Sequence, residues 1–389
     1  MKIAALIAYQ VRIPLRRRIR HAAHTRTETD NLLVRCILED GSEGFGEGVP
    51  RDYVTGETIT STFELLGRSD LASQCEDCRA FEQAVALAER LQLAPVPGDV
   101  RGCEGNAARC AVELALLDAY GRHFGRALSD VVQLLAPEIY QPQPRVRYSG
   151  AITTARNIKT WAAAIIFRIY RFKQVKIKVG MEGYDDRRRL ALMRRWGGRK
   201  IDIRLDANEA WRPANVVERI RELEPFGISA VEQPVPHADA AALRDVRRQI
   251  RTPIMLDESL CSRYDAERAV EGQICDLFNI RLSKCGGFIP SLRLAQFAKQ
   301  HGLGCQLGCQ VGETAVLSAA GRHFAASVAG LRYLEGSYDR HLVREALATE
   351  DLTFGWGGWA KALPGPGLGI TLDPQALQRV MVREQVLVS

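Results

Sequence analysis

Three acidic residues each stand at the end of a strand-like run. Asp206 closes Ile-Asp-Ile-Arg-Leu-Asp, Glu232 closes Ile-Ser-Ala-Val-Glu, and Asp257 closes Pro-Ile-Met-Leu-Asp, at intervals of 26 and 25 residues. Such an interval accommodates one strand, one helix and two short loops, so the carboxylates should emerge side by side at the C-terminal mouth of a parallel barrel. Converging carboxylates repel one another, and a hard divalent cation relieves the repulsion. Oxygen ligands favour Mg²⁺, with Mn²⁺ as the alternative.

Lysines flank this acidic trio in the sequence. Lys176 and Lys178 lie in Gln-Val-Lys-Ile-Lys-Val, where strand alternation points both side chains to the same face. Lys284 ends the run Asp-Leu-Phe-Asn-Ile-Arg-Leu-Ser-Lys, 27 residues after Asp257. In a closed barrel the second and sixth strands are roughly opposite, so a substrate would sit between two ammonium groups. The alternatives are an exposed strand face for the lysines and helix N-caps for the acidic residues. The regular spacing of these residues along the sequence disfavours both alternatives.

Composition bounds the class of protein. The chain has 389 residues, 46% of them hydrophobic, so two domains are expected. No run of about 18 apolar residues occurs and the N-terminus turns polar early, which predicts a cytoplasmic protein without a membrane partner. The net charge of +7 comes largely from arginine runs expected on the outside of the barrel, so no nucleic-acid partner is predicted.

The ten cysteines are expected to be reduced thiols. A zinc site is the weaker alternative for four of them: Cys75, Cys78, Cys103 and Cys110.

Periodicity divides the chain into two parts. Residues 2–14, 31–39 and 44–46 predict a three-stranded meander, and helical patterns follow at 57–67, 78–92 and 105–123. This predicts an α+β domain over residues 1–140, ending at a proline-rich stretch. Strands and helices then alternate through 141–354, which predicts an α/β barrel. Its eight predicted strands are 146–152, 175–180, 201–208, 228–235, 253–260, 276–284, 304–311 and 331–337.

Several motifs together resemble a known family. Lys176 and Lys178, Asp206 with Asn208, Glu232 before Gln-Pro, Asp257 before Glu258, and Lys284 before Cys-Gly-Gly occur in this order. Gly-Phe-Gly-Glu-Gly-Val-Pro at 44–50 and Pro-Gly-Pro-Gly-Leu-Gly at 364–369 accompany them. The pattern resembles the muconate-lactonizing-enzyme subgroup of the enolase superfamily. The resemblance implies a modified TIM barrel, an N-terminal α+β capping domain completed by residues 355–389, and Mg²⁺ bound by the three carboxylates.

The resemblance also implies roles for the lysines. Lys178 would transfer the proton and Lys176 would be its electrostatic neighbour. Lys284 would be the second acid/base of a racemase, or would only stabilise the enolate in a cycloisomerase or dehydratase. Residues just beyond the metal ligands are expected to orient them by hydrogen bonds. These are Asn208, Gln233 and Glu258.

Substrate contacts are expected from loops around the mouth. Glu313 resembles an acidic residue that other members place beside the substrate carboxylate or a catalytic base, and charge pairing with a helix N-terminus accounts for it equally well. Loops 20–27 and 51–56, with His24 and Tyr53, are candidate lids, with plain surface loops as the alternative. Dipeptide epimerases typically carry an Asp-x-Asp pair on the eighth strand to hold a substrate ammonium. Here Glu335 and Asp339 keep negative charge in a displaced arrangement.

These observations predict an isomerase that forms an enolate from a small carboxylate substrate. Racemisation or epimerisation of an amino-acid derivative or dipeptide is the first expectation. A muconate-type cycloisomerase or an o-succinylbenzoate synthase-like dehydratase is the alternative, and a Schiff-base aldolase or a catalytically silent binding barrel is disfavoured by the intact acidic trio. Barrels of this kind often assemble, so a homo-oligomer is expected.

Overall fold

The structure is a computed structural model that describes residues 1–20, 25–153 and 157–389. Its strands are β1 Ile3–Arg20, β2 Thr25–Leu38, β3 Glu43–Gly48, β4 Arg145–Arg147, β5 Gly150–Ile152, β6 Gln174–Lys178, β7 Asp202–Asp206, β8 Ile228–Glu232, β9 Ile254–Leu256, β10 Leu277–Ile280, β11 Gly304–Leu307, β12 Leu331–Leu334, β13 Trp359–Lys361 and β14 Met381–Val388. Its α-helices are α1 Asp52–Thr55, α2 Ile59–Arg68, α3 Phe81–Arg90, α4 Asn106–Phe124, α5 Asp130–Leu135, α6 Asn157–Ile169, α7 Asp186–Leu192, α8 Val216–Leu223, α9 Leu243–Arg247, α10 Arg263–Gly272, α11 Phe288–Gln300, α12 Ala315–Ser327, α13 Asp339–Leu342 and α14 Pro374–Val380.

The N-terminal region is an antiparallel sheet covered by helices. Its strand order is β14-β1-β2-β3, so the predicted meander is joined by a fourth strand from the C-terminus. Strand β14 pairs with β1 from Leu6 opposite Val388 to Val11 opposite Met381. The chain therefore returns to the N-terminal sheet after completing the barrel.

Helix α4 packs unusually close to strand β3. Alternate residues of β3 are glycines, and an added Cβ on any of them would lie within 2.0 Å of the backbone of α4: Gly44, Gly46 and Gly48. The facing side of the helix is formed by small residues four apart: Ala107, Ala111, Ala115 and Ala119. Backbone thus lies on backbone, which fixes α4 relative to the sheet.

Eight parallel strands form the barrel, in the sequence order β5 to β12. The first and last strands meet where Ser149 N–H donates to the Leu334 carbonyl over 2.8 Å. The predicted fold class is confirmed: an α/β modified TIM barrel with an α+β cap. Within the described residues, no helix is long and apolar enough to cross a membrane.

Several barrel strands are shorter than predicted. The predicted strand 146–152 is two strands, of which β4 pairs with β13 outside the barrel. Strand β10 ends at Ile280, so the predicted end at Lys284 was wrong. A turn begins after Arg281, in which Cys285 N–H donates to the Arg281 carbonyl and Gly287 N–H to the Leu282 carbonyl. Buried Leu282 prolongs the apolar alternation past the end of the strand.

Candidate active site

Three acidic side chains lie next to one another at the C-terminal end of the barrel. Asp206 is the last residue of β7 and Glu232 the last of β8, and the two are paired in the parallel register. Asp257 directly follows β9, the next strand. At most 1% of each residue is exposed. Three buried carboxylates on adjacent strands need compensating positive charge.

Lys176, on β6, supplies part of that charge. Its Nζ lies 3.3 Å from Asp206 Oδ2 and 3.5 Å from Glu232 Oε2. It also lies 2.8 Å from Oε2 of Glu335, the residue after β12. Burial alone would lower the pKa of Lys176, but the surrounding carboxylates raise it. Lys176 is therefore a fixed ammonium inside the acidic cluster.

The carboxylates differ in their electrostatics. Burial raises the pKa of Glu232 to about 8; Lys176 opposes this, and repulsion from Asp206 and Asp257 adds to it. Burial acts in the same direction on Asp257, but the adjacent Arg281 and Lys284 hold its pKa below the usual range. Glu232 Oε1 also accepts a 2.8 Å hydrogen bond from Asn279 Nδ2. Lys176 thus lies against Asp206 and Glu232, and Arg281 borders Glu232 and Asp257.

The donor set suits a hard divalent cation. The carboxylates stand at the C-terminal ends of three adjacent strands, and among the described residues Oε2 of the neighbouring Glu258 is buried without a hydrogen-bond partner. Among the described residues, no three acidic, histidine or cysteine side chains converge closely enough to enclose an ion. The carboxylates instead lie against Lys176, Arg281 and Lys284. Carboxylate oxygens at three adjacent strand ends are ligands that Mg²⁺ or Mn²⁺ prefers, so the donor set fits either cation.

Lys178 is the lysine with a neutral partner. It ends β6, directly beside Asp206 in the register, and its side chain is partly exposed. Its Nζ donates to Asn208 Oδ1. Within the described part of the chain, no carboxylate oxygen lies within 4.0 Å of this Nζ. An amine in this setting is accessible and is not held in an ion pair.

Lys284 occupies a different position from the one predicted. It lies in the turn after β10 and not at the strand end, and it is fully buried. Its Nζ donates to the Asp257 carbonyl over 2.6 Å, to Asp257 Oδ1 over 3.0 Å and to the Asn279 carbonyl over 2.9 Å. All three donor positions of the ammonium are used. Lys284 therefore holds Asp257 in place and is enclosed away from solvent.

Arg281 is the residue that sequence reasoning missed. It directly follows β10, as Asp257 follows β9, and its side chain is 13% exposed. Its NH2 group contacts Asp257 Oδ2 and lies 3.5 Å from Glu232 Oε1. The signal was present in the sequence, because Arg281 directly follows the predicted strand core Leu-Phe-Asn-Ile, as Asp257 follows Ile-Met-Leu.

Helix α4 of the capping region holds the turn that carries Lys284. Asn106 Nδ2 donates to the Lys284 carbonyl over 2.6 Å, and Arg109 NH1 to the Gly286 carbonyl over 2.8 Å. Glu113 accepts hydrogen bonds from the N–H groups of Phe288 and Ile289 at the start of α11. Burial raises the pKa of Glu113 to about 7 against the effect of Arg109. The cap thereby fixes the β10 side of the mouth.

The three residues expected to orient the metal ligands make polar contacts around them. Gln233 Oε1 accepts the N–H groups of Asp257 and Ser259, at 2.9 and 3.1 Å. Asn208, besides accepting from Lys178, donates from Nδ2 to Glu258 Oε1 over 3.3 Å. Gln233 thus fixes the loop that carries Asp257, and Asn208 joins Lys178 to Glu258.

The two acidic residues near the eighth strand differ in setting. Glu335 is paired with Lys176 and with NH2 of Arg204, a fully buried residue in β7. Burial would raise the pKa of Glu335, but these two cations lower it to about 2. Asp339 begins α13, is buried, and accepts from Ser318 Oγ over 3.2 Å. Glu335 therefore belongs to the acidic cluster, whereas Asp339 contacts a barrel helix.

The remaining predicted substrate contacts lie at the rim. Glu313 lies between β11 and α12, where its Oε1 accepts the Gln310 N–H over 2.5 Å, and burial raises its pKa to about 8. Glu313 and Glu335 line one small cavity. Tyr53 lies in α1, with its ring 5.4 Å from the Arg26 guanidinium carbon. His24 lies outside the described residues.

Other features stand apart from this cluster. The ten cysteines are free, and the described residues give no zinc-like grouping to Cys75, Cys78, Cys103 and Cys110. A cavity of about 630 Å³ lies where β9, β10 and β11 begin, at the opposite end of the barrel, and several arginines line it. Active sites of such barrels lie at the C-terminal mouth, so the acidic cluster remains the candidate site.

Comparisons with known proteins agree with the geometry. Residues 160–376 match the family model "Enolase C-terminal domain-like". The chain is 29% identical to N-succinyl-L-Arg/Lys racemase of Bacillus cereus, with 100% of both chains covered. The crystal structure of that racemase superposes with a TM-score of 0.85 at 27% identity, over 99% of this chain and 100% of the other.

Two further proteins extend the comparison. L-Lys-D/L-Arg epimerase of Methylococcus capsulatus is 31% identical over 95% of this chain and 99% of its own. A dipeptide epimerase of Cytophaga hutchinsonii, solved with Mg and the dipeptide D-Ala-L-Val, has a TM-score of 0.84 at 24% identity, with 100% of both chains covered. The chain therefore belongs to the enolase superfamily, in the muconate-lactonizing-enzyme subgroup, and is an isomerase of that superfamily.

Proposed function

We propose that this isomerase removes the proton from the carbon next to the carboxylate of an N-acylated amino acid, with Lys178 as the base. The observation that carries the proposal is the position of Lys178, partly exposed and bonded to a neutral amide beside three strand-end carboxylates. A lysine acts as a base only when its amine is free, and no carboxylate among the described residues holds this one as an ammonium. Racemisation or epimerisation is the reaction that the relatives' names support.

Asp206, Glu232 and Asp257 would hold the divalent cation, Mg²⁺ or Mn²⁺. When bound, the cation neutralises the charge that develops on the substrate carboxylate as its neighbouring carbon loses a proton. Proton transfer, the fixed positive charge and the orientation of the ligands come from the chain's own residues. Lys178 takes the proton, Lys176 adds a fixed positive charge, and Gln233 keeps Asp257 oriented.

The contacts of Glu335 support an acylated substrate. A dipeptide or free amino acid brings an ammonium group, which needs an unpaired acidic partner. Glu335 already faces two cations, Lys176 and Arg204, and Asp339 is buried against Ser318. An N-acyl group carries no positive charge and therefore needs no acidic partner. The named substrate of the Bacillus cereus relative, an N-succinyl amino acid, has this chemistry.

Proton NMR in deuterium oxide tests the proposal. N-acylamino acids, dipeptides, muconates and sugar acids are each incubated with enzyme and Mg²⁺, and loss of the α-proton signal is followed. We expect exchange with N-acylamino acids, loss of exchange in Lys178→Ala, and wild-type exchange in the matched control Lys173→Ala, whose side chain is exposed. If none of the carboxylates loses its α-proton signal, the proposal is wrong.

Cycloisomerisation or dehydration passes through the same enolate and is the second candidate. The observation that favours it is the difference between the two lysines, because only Lys178 is free to exchange a proton while Lys284 is buried and fully bonded. A reaction that returns the proton to the opposite face of the carbon needs a second proton carrier there.

Exposed apolar side chains support the expected homo-oligomer. Helix α6 leaves Ile158 80%, Trp161 41% and Ile166 51% exposed. Patches of this kind on a folded protein mark interaction sites. Light scattering of the wild type and of Ile158→Asp is the test. A monomeric wild type would contradict the proposal.

A further inference from the structure

The cation that faces Lys178 across the three carboxylates is an arginine. We propose that Arg281 acts as a permanently charged partner of the enolate, so that proton transfer at this site is restricted to the Lys178 face. This inference rests on the proposed enolate chemistry and deepens it, because it assigns the stereochemical course. It also assigns Arg281 a catalytic role in place of Lys284.

Strand order gives the relative positions. Lys178 ends β6, Arg281 follows β10, and the three strands between them, β7, β8 and β9, carry the three carboxylates. In an eight-stranded barrel, strands four apart lie on opposite sides. The guanidinium of Arg281 contacts Asp257 and Glu232, so it borders the acidic trio on the side away from Lys178.

No other described lysine can replace Arg281 as a proton carrier on this side. Lys284 is 0% exposed, and Asp257 with the Asn279 carbonyl takes all its hydrogen bonds. Asn106 fixes the backbone of Lys284 from the capping region. Lys176 is bound by three carboxylates. Of the described lysines at the barrel mouth, Lys178 is the one whose side chain is partly exposed and bonded to a neutral partner.

Arginine differs from lysine in the property that matters here. A guanidinium keeps its proton in proteins, whereas an ammonium releases it when its surroundings favour the neutral amine. In the forward step, the Lys178 amine takes the α-proton, and the electrons of the broken C–H bond pass into the enolate. In the return step, the same ammonium gives a proton back to the same face of the carbon. Arg281 stabilises the negative charge throughout and transfers nothing.

Two consequences follow for the reaction. One enantiomer of the substrate should exchange its α-proton with solvent much faster than the enzyme interconverts the enantiomers. The productive fate of the enolate is then a bond change on the Lys178 face. This is the course of the second candidate reaction, in which a bond at the β-carbon forms or breaks, and it departs from the racemisation or epimerisation that the relatives' names support. Two-base inversion would need a proton carrier on each side of the carbon.

The experiment compares wild type, Arg281→Lys and Arg281→Met on separate enantiomers of N-acetyl and N-succinyl amino acids in deuterium oxide. NMR follows α-proton exchange, and chiral chromatography follows inversion. We expect the wild type to exchange one enantiomer at least about 100-fold faster than it inverts it. Arg281→Lys should raise inversion at least about tenfold, because an ammonium can release a proton. Arg281→Met should slow exchange without new inversion.

Controls separate folding, metal binding and the proposed function from this inference. Thermal melts with and without Mg²⁺ report on folding and on the metal site independently of activity. Arg251→Lys, at the opposite end of the barrel, is the matched control and should leave both rates unchanged. Comparable exchange of both enantiomers by the wild type, or inversion that Arg281→Lys does not raise in a folded, Mg²⁺-binding protein, overturns the inference while leaving the enolate proposal intact. Absence of any exchange in the wild type overturns both.

Discussion

The two sides of the barrel mouth carry lysines in very different states. On the β6 side, Lys178 is partly exposed and bonded to a neutral amide. On the β10 side, Lys284 is fully buried, donates to three oxygens and lies in a turn that helix α4 of the cap holds in place. The same residue type is thus partly exposed on one side and enclosed on the other. We infer that only the lysine at the end of β6 is placed to exchange a proton with a substrate.

The largest expected difference between the two sides is in stability. Lys284→Met should lower the free energy of unfolding by about 3–5 kcal/mol, because Asp257 then loses a buried partner. Lys178→Met should cost less than about 1 kcal/mol, since its side chain is partly exposed and its partner is neutral. Urea denaturation of both variants measures the difference. Equal losses of unfolding free energy in the two variants would contradict the difference in burial and bonding between the two lysines.

The carboxylates between the two sides should govern metal binding. Mg²⁺ at 100 times its Kd should stabilise the wild type by about 2.7 kcal/mol. We expect Asp206→Asn, Glu232→Gln and Asp257→Asn to abolish most of this stabilisation and the activity with it. The measurement is the rise of Tm on adding Mg²⁺ to each variant. Activity that survives exhaustive chelation would contradict the metal assignment.

The stability contributed by Glu113, which holds the start of α11 on the β10 side, should depend on pH. The pKa of Glu113 is raised to about 7 in the folded protein, above its ordinary value of 4.5. Its contribution to stability is therefore complete below about pH 4.5 and is lost as the pH rises through 7, with a slope of at most about 1.4 kcal/mol per pH unit. Glu113→Gln should remove this part of the slope. The measurement is the denaturation midpoint of the wild type and of Glu113→Gln at several pH values between 4.5 and 8. Identical slopes of stability against pH in the two proteins would contradict the prediction.

Substitution of Asn208, the hydrogen-bond partner of Lys178, should have the smallest effect. Asn208→Asp places a carboxylate beside Lys178 Nζ, where the wild type has a neutral amide. We expect the exchange rate to fall by about threefold, equivalent to about 0.7 kcal/mol, because the new ion pair disfavours transfer of the substrate proton to the amine. Asn208→Ala, which removes the contact without adding charge, is the control. A faster exchange in Asn208→Asp would argue against Lys178 as the base.

Sequence reasoning reached the barrel, the cap and the acidic trio because each depends on a local pattern. Asp206, Glu232 and Asp257 directly end their apolar runs, and a strand-end residue of a parallel barrel points to the mouth. It misplaced Lys284 because Leu282, buried in the following turn, continues the alternation of β10. Burial within a turn and burial within a strand look alike in sequence. The contacts of α4 with that turn join residues more than 170 apart, which no local pattern reveals.

We propose that the β6 side of the mouth moves the proton and that the β10 side does not. The most direct measurement is α-proton exchange by Lys178→Ala on each enantiomer of an N-acylamino acid, followed by NMR in deuterium oxide with Mg²⁺ present. Removing the base should lower exchange of the enantiomer that the wild type exchanges rapidly by about 10²–10⁴-fold, since no second lysine among the described residues is free on the opposite face. Near wild-type exchange of one enantiomer in Lys178→Ala would contradict the account, because a second base would then act from the β10 side.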